Sequence, residues 1–134
     1  MSKMKVLVLD TNTLLRFLLD DVLSQTKEIR KKIELAKLGK IKLVVPQIVV
    51  FEIVYALTKE YGFKIEEVIG VLRRLLINKD LQIQDEDIFE QTLRIFSKKL
   101  SLADCFIYFF AKKNNAELFT FDKNLQKAFR ATSL

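Results

Sequence analysis

Four acidic side chains lie within otherwise apolar segments, and they are the residues of this chain best suited to chemistry. They are Asp10, Glu52, Asp104 and Asp122, in the segments MKVLVLD, IVVFEIVYAL, SLADCFIYFF and LFTFD. Burying a carboxylate away from water strongly destabilises the folded state unless a cation or a hydrogen-bond donor pairs with the carboxylate. The chain has no histidine, and no obvious basic partner stands beside these acids. The pattern therefore predicts a shared site for a divalent cation.

Each acid also has a structural interpretation to be weighed. Asp10 and Asp122 end apolar runs, and aspartate in that position often caps the helix that follows. Asp104 has the spacing of a capping box with Ser101, in which the acid reaches back to the amide of the cap residue. Glu52 differs, because the residues one helical turn away from it are apolar or aromatic and include no cation. It needs a partner from elsewhere in the fold, or a metal.

Composition narrows the chemistry. The 134 residues, half of them hydrophobic, predict a single domain over residues 1–134. One cysteine excludes an internal disulfide and a cysteine-based zinc cluster, and the lack of histidine removes the commonest zinc ligand and general base. What remains is carboxylate chemistry, with or without hard cations such as Mg²⁺ or Mn²⁺. Cys105 itself is expected to be a small core residue.

The net charge bears on the partners of the protein, and the lengths of its apolar segments bear on its location. A net charge of +6 favours a polyanionic partner or an acidic protein, although the basic residues are scattered along predicted helices and also suit solvated faces. The first apolar run is too short for a signal peptide, and no stretch gives the roughly 20 clean apolar residues of a membrane span. We expect an intracellular, cytoplasmic protein with no membrane partner.

Strand and helix patterns alternate along the chain. The run MKVLVLD predicts a strand buried on both faces of a parallel sheet. Further strands are predicted at 42–45, in LQIQ and in ELFTF. Helices are predicted over 13–19, 24–38, 46–61, 65–77, 85–100, 101–114 and 124–129, with Gly39 and Gly62 as stops and Asn115 as a left-handed terminator.

The pattern indicates an α/β sandwich with a central, mostly parallel sheet flanked by helices. In such sheets ligands bind beyond the carboxyl ends of the strands, where Asp10 and Asp122 fall.

The motifs of the sequence, taken together, resemble those of a known family. Three features carry the likeness, in this order: the segment LDTNTLLRFLLDD, the helical Glu52 and the segment SLADCFIYFFAKKNNAELFTFDKNL. Together they resemble a PIN-domain nuclease, particularly the VapC-type toxin of VapBC toxin–antitoxin pairs. The likeness covers essentially the whole chain. It implies a PIN-like three-layer sandwich in which Asp10, Glu52, Asp104 and Asp122 bind one or two Mg²⁺ or Mn²⁺ ions and cleave RNA.

The resemblance also assigns supporting residues. It carries over Asn12 and Thr120 as polar neighbours that orient the acids, in keeping with the way hydrogen-bonded partners fix metal ligands. Arg16 corresponds to a basic residue frequent after the first motif, and contact with substrate phosphate is one expectation for it. The alternative is a surface arginine on an amphipathic helix. Many relatives carry a further acid where this chain has Asn124, and a neutral amide binds a hard cation more weakly. One complete metal site is expected, and the second stays open.

The leading functional hypothesis is a metal-dependent endoribonuclease in which a cation-activated water attacks an RNA phosphodiester in line. The resemblance implies a toxin that forms a homodimer and is held inactive by an antitoxin protein. One alternative is a PIN-fold nuclease for RNA processing or decay without a toxin role. Another is a catalytically silent module that binds RNA or protein.

Overall fold

The computed structural model describes residues 4–132 and divides the chain into two compact units, Met1–Glu86 and Asp87–Leu134. These are called the first and the second unit below. The described strands are β1 (Lys5–Val8), β2 (Ile41–Val45) and β3 (Leu81–Ile83). The described helices are α1 (Thr11–Leu19), α2 (Leu23–Lys37), α3 (Gln47–Lys59), α4 (Ile65–Ile77), α5 (Glu86–Thr92), α6 (Leu102–Lys113) and α7 (Lys123–Thr132).

The first unit is built around a parallel sheet. Within residues 4–132 the sheet has three strands in the order β1-β2-β3, with Lys5 opposite Ile41 and Leu43 opposite Leu81. Parallel neighbours need long crossovers, and here α1 and α2 connect β1 to β2, while α3 and α4 connect β2 to β3. This arrangement confirms the predicted α/β fold class with a parallel sheet flanked by helices.

The hydrophobic core of the first unit lies against one face of the sheet. Alternate residues of β2 and β3 are buried, namely Ile41, Leu43, Val45, Leu81 and Ile83. On the opposite face of β1, Val6 and Val8 are 53% and 66% exposed. Val6 lies opposite Lys42, whose charged side chain is exposed, so this face is not a closed core. The prediction that the first strand is buried on both faces is therefore wrong.

Several helix ends fall where the sequence predicts them. Gly39 and Gly62 have φ values of +72° and +67°, a left-handed conformation that glycine adopts without a Cβ clash. Helix α4 spans Ile65–Ile77, as predicted. Asn115 also has a positive φ, at 51°, just beyond α6.

The helix predicted over 85–100 is much shorter in the structure. Helix α5 ends at Thr92, where the Thr92 hydroxyl donates to the carbonyl of Ile88 at 2.8 Å. A hydroxyl bond to the carbonyl four residues earlier slightly destabilises a helix and often bends it. Asp85 does not serve as its cap, because its backbone has φ 59° and its carboxylate accepts from Gln47 Nε2 at 2.6 Å. The predicted cap and the predicted end are both wrong.

The fourth predicted strand, ELFTF, is not a strand in the structure. Residues 117–121 have no regular secondary structure, and Phe119 and Phe121 are 85% and 87% exposed. The carbonyl of Thr120 accepts from Gln126 Nε2 at 2.7 Å, and the two phenylalanine rings meet edge to face at 5.4 Å. A strand needs a neighbouring strand to pair its backbone, and this segment uses its polar groups locally instead.

The second unit has its own apolar core around α6. Leu102, Cys105 and Phe106 are buried on this helix, and the ring of Phe106 packs against that of Phe89 at 5.0 Å between centroids. The burial of Cys105 confirms its predicted core role, and burial raises the pKa of its thiol to about 11, with a smaller effect from Asp104. No helix within residues 4–132 is long and apolar enough to cross a bilayer.

Candidate active site

Asp10 begins helix α1 beyond the carboxyl end of β1. It is exposed, and its Oδ1 accepts a hydrogen bond from the backbone N–H of Thr13 at 2.9 Å. This bond, with a further contribution from the Thr13 side chain, lowers the pKa of Asp10, and a small desolvation effect opposes it. Asp10 is therefore both the cap of α1 and a carboxylate that is ionised at neutral pH.

Glu52 lies on α3 and has a side-chain partner from α1. Its Oε1 accepts a hydrogen bond from the Thr11 hydroxyl at 2.7 Å, and Thr11 directly follows Asp10. The fold thus brings Glu52 to the residue next to the first acid of the sequence. Local sequence offered Glu52 no partner, and the structure supplies one from elsewhere in the fold.

The expectation that the acids lie buried among apolar residues is wrong. Asp10, Glu52 and Asp122 are exposed, and Asp104 is half-buried. On α3 the reason is visible in the neighbours of Glu52, because Ile48 and Tyr55 are themselves 61% and 64% exposed. This apolar strip of the helix faces outwards, so an apolar sequence neighbourhood did not imply burial.

Thr11 is the residue that sequence reasoning missed. Its position between Asp10 and Asn12 was the available signal, but nothing in the sequence showed that its hydroxyl reaches α3. In the described part of the chain no hydrogen bond joins the Asn12 amide to Asp10 or Glu52. The predicted orienting role of Asn12 stays a prediction.

Arg16 is held in place on two sides. Its Nη1 donates to Asp21 Oδ2 at 2.9 Å, and its Nη2 donates to the Tyr61 hydroxyl at 3.0 Å. Its side chain is 21% exposed. A guanidinium has five N–H donors, so these two bonds leave donors for a phosphate. Contact with substrate phosphate stays a prediction.

Two cavities of about 590 Å³ each lie beside these residues in the first unit. Asp10, Asn12 and Arg16 line the first one. Thr11, Asn12 and Glu52 line the second one. Asn12 borders both cavities, so this residue lies between the surroundings of the two acids.

Both acids of the second unit lie at helix starts, Asp104 in the first turn of α6 and Asp122 at the cap of α7. The Ser101 hydroxyl accepts from the backbone N–H of Asp104 at 3.1 Å, which is one half of the predicted capping box. Asp122 Oδ1 accepts from the backbone N–H of Leu125 at 2.9 Å. The Thr120 hydroxyl accepts from the backbone N–H of Asp122 at 3.0 Å, so it contacts the main chain of this acid.

The donor set of the first unit suits a hard cation held by few protein ligands. Residues 4–132 contain no group of three or more histidine, cysteine, aspartate or glutamate side chains placed to hold a metal. Mg²⁺, however, commonly takes only one or two carboxylates, with water and substrate phosphate completing its shell. Asp10, whose pKa is lowered by its cap bond, and Glu52, held by Thr11, are the candidates for such ligands in the first unit.

The first unit is an α/β unit with Asp10 beyond the carboxyl end of a parallel strand, the edge at which open α/β sheets bind ligands. The family model of the PIN domain matches residues 7–130, so the chain belongs to the PIN-domain family. PIN domains have a nuclease fold, are generally nucleases that act on nucleic acid, and generally use Mg²⁺ or Mn²⁺. Comparisons with curated proteins and with solved structures gave no significant match.

Proposed function

We propose that this PIN-domain protein is a Mg²⁺- or Mn²⁺-dependent endoribonuclease. The observation that carries the proposal is the hydrogen bond of 2.7 Å from Thr11 to Glu52, formed beside the ionised Asp10. Two carboxylates from distant parts of the sequence are thereby fixed near one residue in a chain of a nuclease family. A single surface acid with no partner would not support this function.

The proposed ligands are Asp10, Glu52, Asp104 and Asp122. The first two are supported by the contacts of Thr11 and Thr13, and the other two by their positions in the motif of the family. Since the PIN model spans residues 7–130, we take both units as parts of a single nuclease domain over residues 1–134. Asn124, in the place of a further acid, favours one well-bound ion over two.

The residues of the chain have distinct proposed roles. When bound, Mg²⁺ supplies a Lewis acid for the phosphodiester and lowers the pKa of water. Asp10 is an anionic ligand at neutral pH, since its pKa lies below the ordinary 3.8 of a carboxyl that is already ionised there. Thr11 restricts the Glu52 carboxylate to one orientation. Arg16 directs its remaining donors to a substrate phosphate. Asn12 and Thr120 support the orientation of the acids.

The biological role we favour is that of a cytoplasmic toxin, the VapC-type partner of an antitoxin, acting as a homodimer. The LDTNTLLRFLLDD motif supports this, and the exposed rings of Phe110, Phe119 and Phe121 offer apolar surface for protein partners. A short antitoxin-like reading frame directly upstream of the gene would support this role. Its lack would favour an RNA-processing nuclease.

The decisive experiment is cleavage of labelled single-stranded RNA with Mg²⁺, with Mn²⁺ and with EDTA. We expect cleavage with either ion and none with EDTA. Asp10→Asn should be inactive and folded, because asparagine caps a helix about as well as aspartate. Asp20→Asn, at the other end of α1, is the matched control and should cleave like the wild type. A folded, fully active Asp10→Asn protein would overturn the proposal.

A further inference from the structure

The cavity beside Asp10 has a second wall, formed at the start of α2. This wall consists of Val22, Gln25, Glu28 and Ile29. Their spacing of three and four residues places them on one face of the helix. The cavity volume of about 590 Å³ falls within the range of roughly 300–1,000 Å³ that is typical of small-molecule sites.

The chemistry of this wall is mixed in a way that suits a nucleobase. Ile29 is buried and Val22 is half-buried, so they give the cavity an apolar side against which a flat ring can pack. Gln25 and Glu28 are exposed and offer an amide and a carboxylate to the edge of such a ring. A base combines these properties, with apolar faces and a hydrogen-bonding edge.

The polar groups of the cavity have bonding capacity to spare. Within residues 4–132 neither the Gln25 amide nor the Asn12 amide has a hydrogen-bond partner. Glu28 has only a long contact with Lys32, at 4.0 Å. Arg16 lines the same cavity and keeps N–H donors beyond those given to Asp21 and Tyr61. A ligand with a base and a phosphate would find partners for both.

We propose that this cavity is a subsite for the nucleotide next to the scissile phosphate, and that Gln25 and Glu28 select a base with an exocyclic amine over uracil. A carboxylate accepts from an exocyclic amine, and a glutamine side chain both donates to and accepts from a base edge. Uracil has no exocyclic amine, and its one ring N–H lies between two carbonyl oxygens that repel the Glu28 carboxylate. The proposal rests on the proposed function for its position, since Asp10 borders the same cavity.

Nucleotide binding tests the subsite without requiring cleavage. The full chain is titrated with 5′-AMP, 5′-CMP, 5′-GMP and 5′-UMP without metal, and the side-chain amide signals of Gln25 and Asn12 are followed by NMR. We expect shifts with the three amine-bearing nucleotides and affinities about fivefold or more above that of UMP, the low end of base discrimination. Glu28→Gln should reduce this preference, and Glu34→Gln on the same helix should leave it unchanged.

Equal affinity for UMP, or no shift of Gln25 with any nucleotide, would overturn the subsite. Base-selective shifts in a protein that cleaves no RNA would leave the subsite standing and remove the ribonuclease function. RNA cleavage with no nucleotide selectivity would do the reverse. In an active enzyme, Glu28→Gln should also relax the base preference at one position beside the cut, read by sequencing the ends of products from a random RNA pool.

Discussion

Glu52 of the first unit and the acids of the second unit are held in different ways. In the first unit the Glu52 carboxylate accepts from Thr11, a residue 41 positions away in sequence. In the second unit the backbone N–H of Asp104 donates to the Ser101 hydroxyl and the Asp122 carboxylate accepts from the Leu125 N–H, each three residues away, at the starts of α6 and α7. A local cap contributes to helix stability whatever else the acid does. The long-range bond at Glu52 has no such local role and is therefore the stronger sign of function.

The largest expected effect is at Glu52. Glu52→Gln removes the charge and keeps the shape, so cleavage should fall by about 100-fold, the upper end of the roughly 10- to 100-fold loss seen when even a partner of a metal ligand is removed. The melting temperature should change little, because exposed substitutions usually alter stability by no more than about 0.5 kcal/mol. Cleavage assays and thermal melts with Mn²⁺ measure both. An active Glu52→Gln protein would remove the contrast between the two units.

Thr11 should have the next largest effect. Thr11→Val keeps the branched shape and loses the hydroxyl, so the Mn²⁺ concentration for half-maximal cleavage should rise by about 10- to 100-fold. Thr11→Ser keeps the donor and should remain close to the wild type. Unchanged metal dependence in Thr11→Val would show that this hydroxyl does not position Glu52.

A double variant tests whether Thr11 affects Mn²⁺ binding by positioning the Glu52 carboxylate. On a Glu52→Gln background, Thr11→Val should not weaken Mn²⁺ binding further, because the carboxylate it orients is gone. Isothermal titration with Mn²⁺ measures this coupling. Additive losses in the double variant would assign Thr11 a role independent of Glu52.

Asp122 allows its two roles to be separated in the second unit. Asp122→Ala removes the cap of α7 and should lower the free energy of unfolding by about 1 kcal/mol, whereas Asp122→Asn should keep most of it. If Asp122 is also a metal ligand, Asp122→Asn should still lose cleavage. Denaturant unfolding and RNA cleavage of the two variants give the answer. A stable and fully active Asp122→Asn protein would restrict this acid to its cap.

The smallest effect is the pH dependence at Asp10. The Thr13 N–H lowers the pKa of this carboxyl below its ordinary 3.8, so the folded chain binds this proton less readily than the unfolded chain. The stabilisation is present above pH 3.8 and is lost as the pH falls through the lower folded value. An NMR titration of the Asp10 carboxyl carbon should give a midpoint below 3.8. A higher midpoint would contradict the cap.

Sequence was a good guide where structure depends on local rules. Helix α4 could be predicted from its apolar spacing and its acidic first turn, and Glu67 Oε1 indeed accepts from the backbone N–H of Lys64 at 3.0 Å. The prediction for ELFTF was wrong because strand propensity does not provide a neighbouring strand. The predicted cap of the helix over 85–100 was wrong because Gln47, far away in sequence, engages the Asp85 carboxylate.

The candidate site, like the fold, could be predicted from the sequence only in part. Residue type and motif indicated Asp10 and Glu52, and the family match supports the nuclease class. The bond from Thr11 could not be predicted, because it depends on how α1 lies against α3. The exposure of Ile48 and Tyr55 was hidden for the same reason, since an apolar side chain in a sequence does not reveal which way its helix faces.

The length of chain between Thr11 and Glu52 has a consequence for folding. Their bond spans 41 positions, so it can form only after β2 and α3 have been synthesised and packed, whereas the caps at Ser101 and Asp122 need a single helical turn. Chain entropy opposes such long closures. Partial unfolding should therefore separate the two carboxylates while helices persist, and loss of cleavage in denaturant should precede loss of helical circular dichroism.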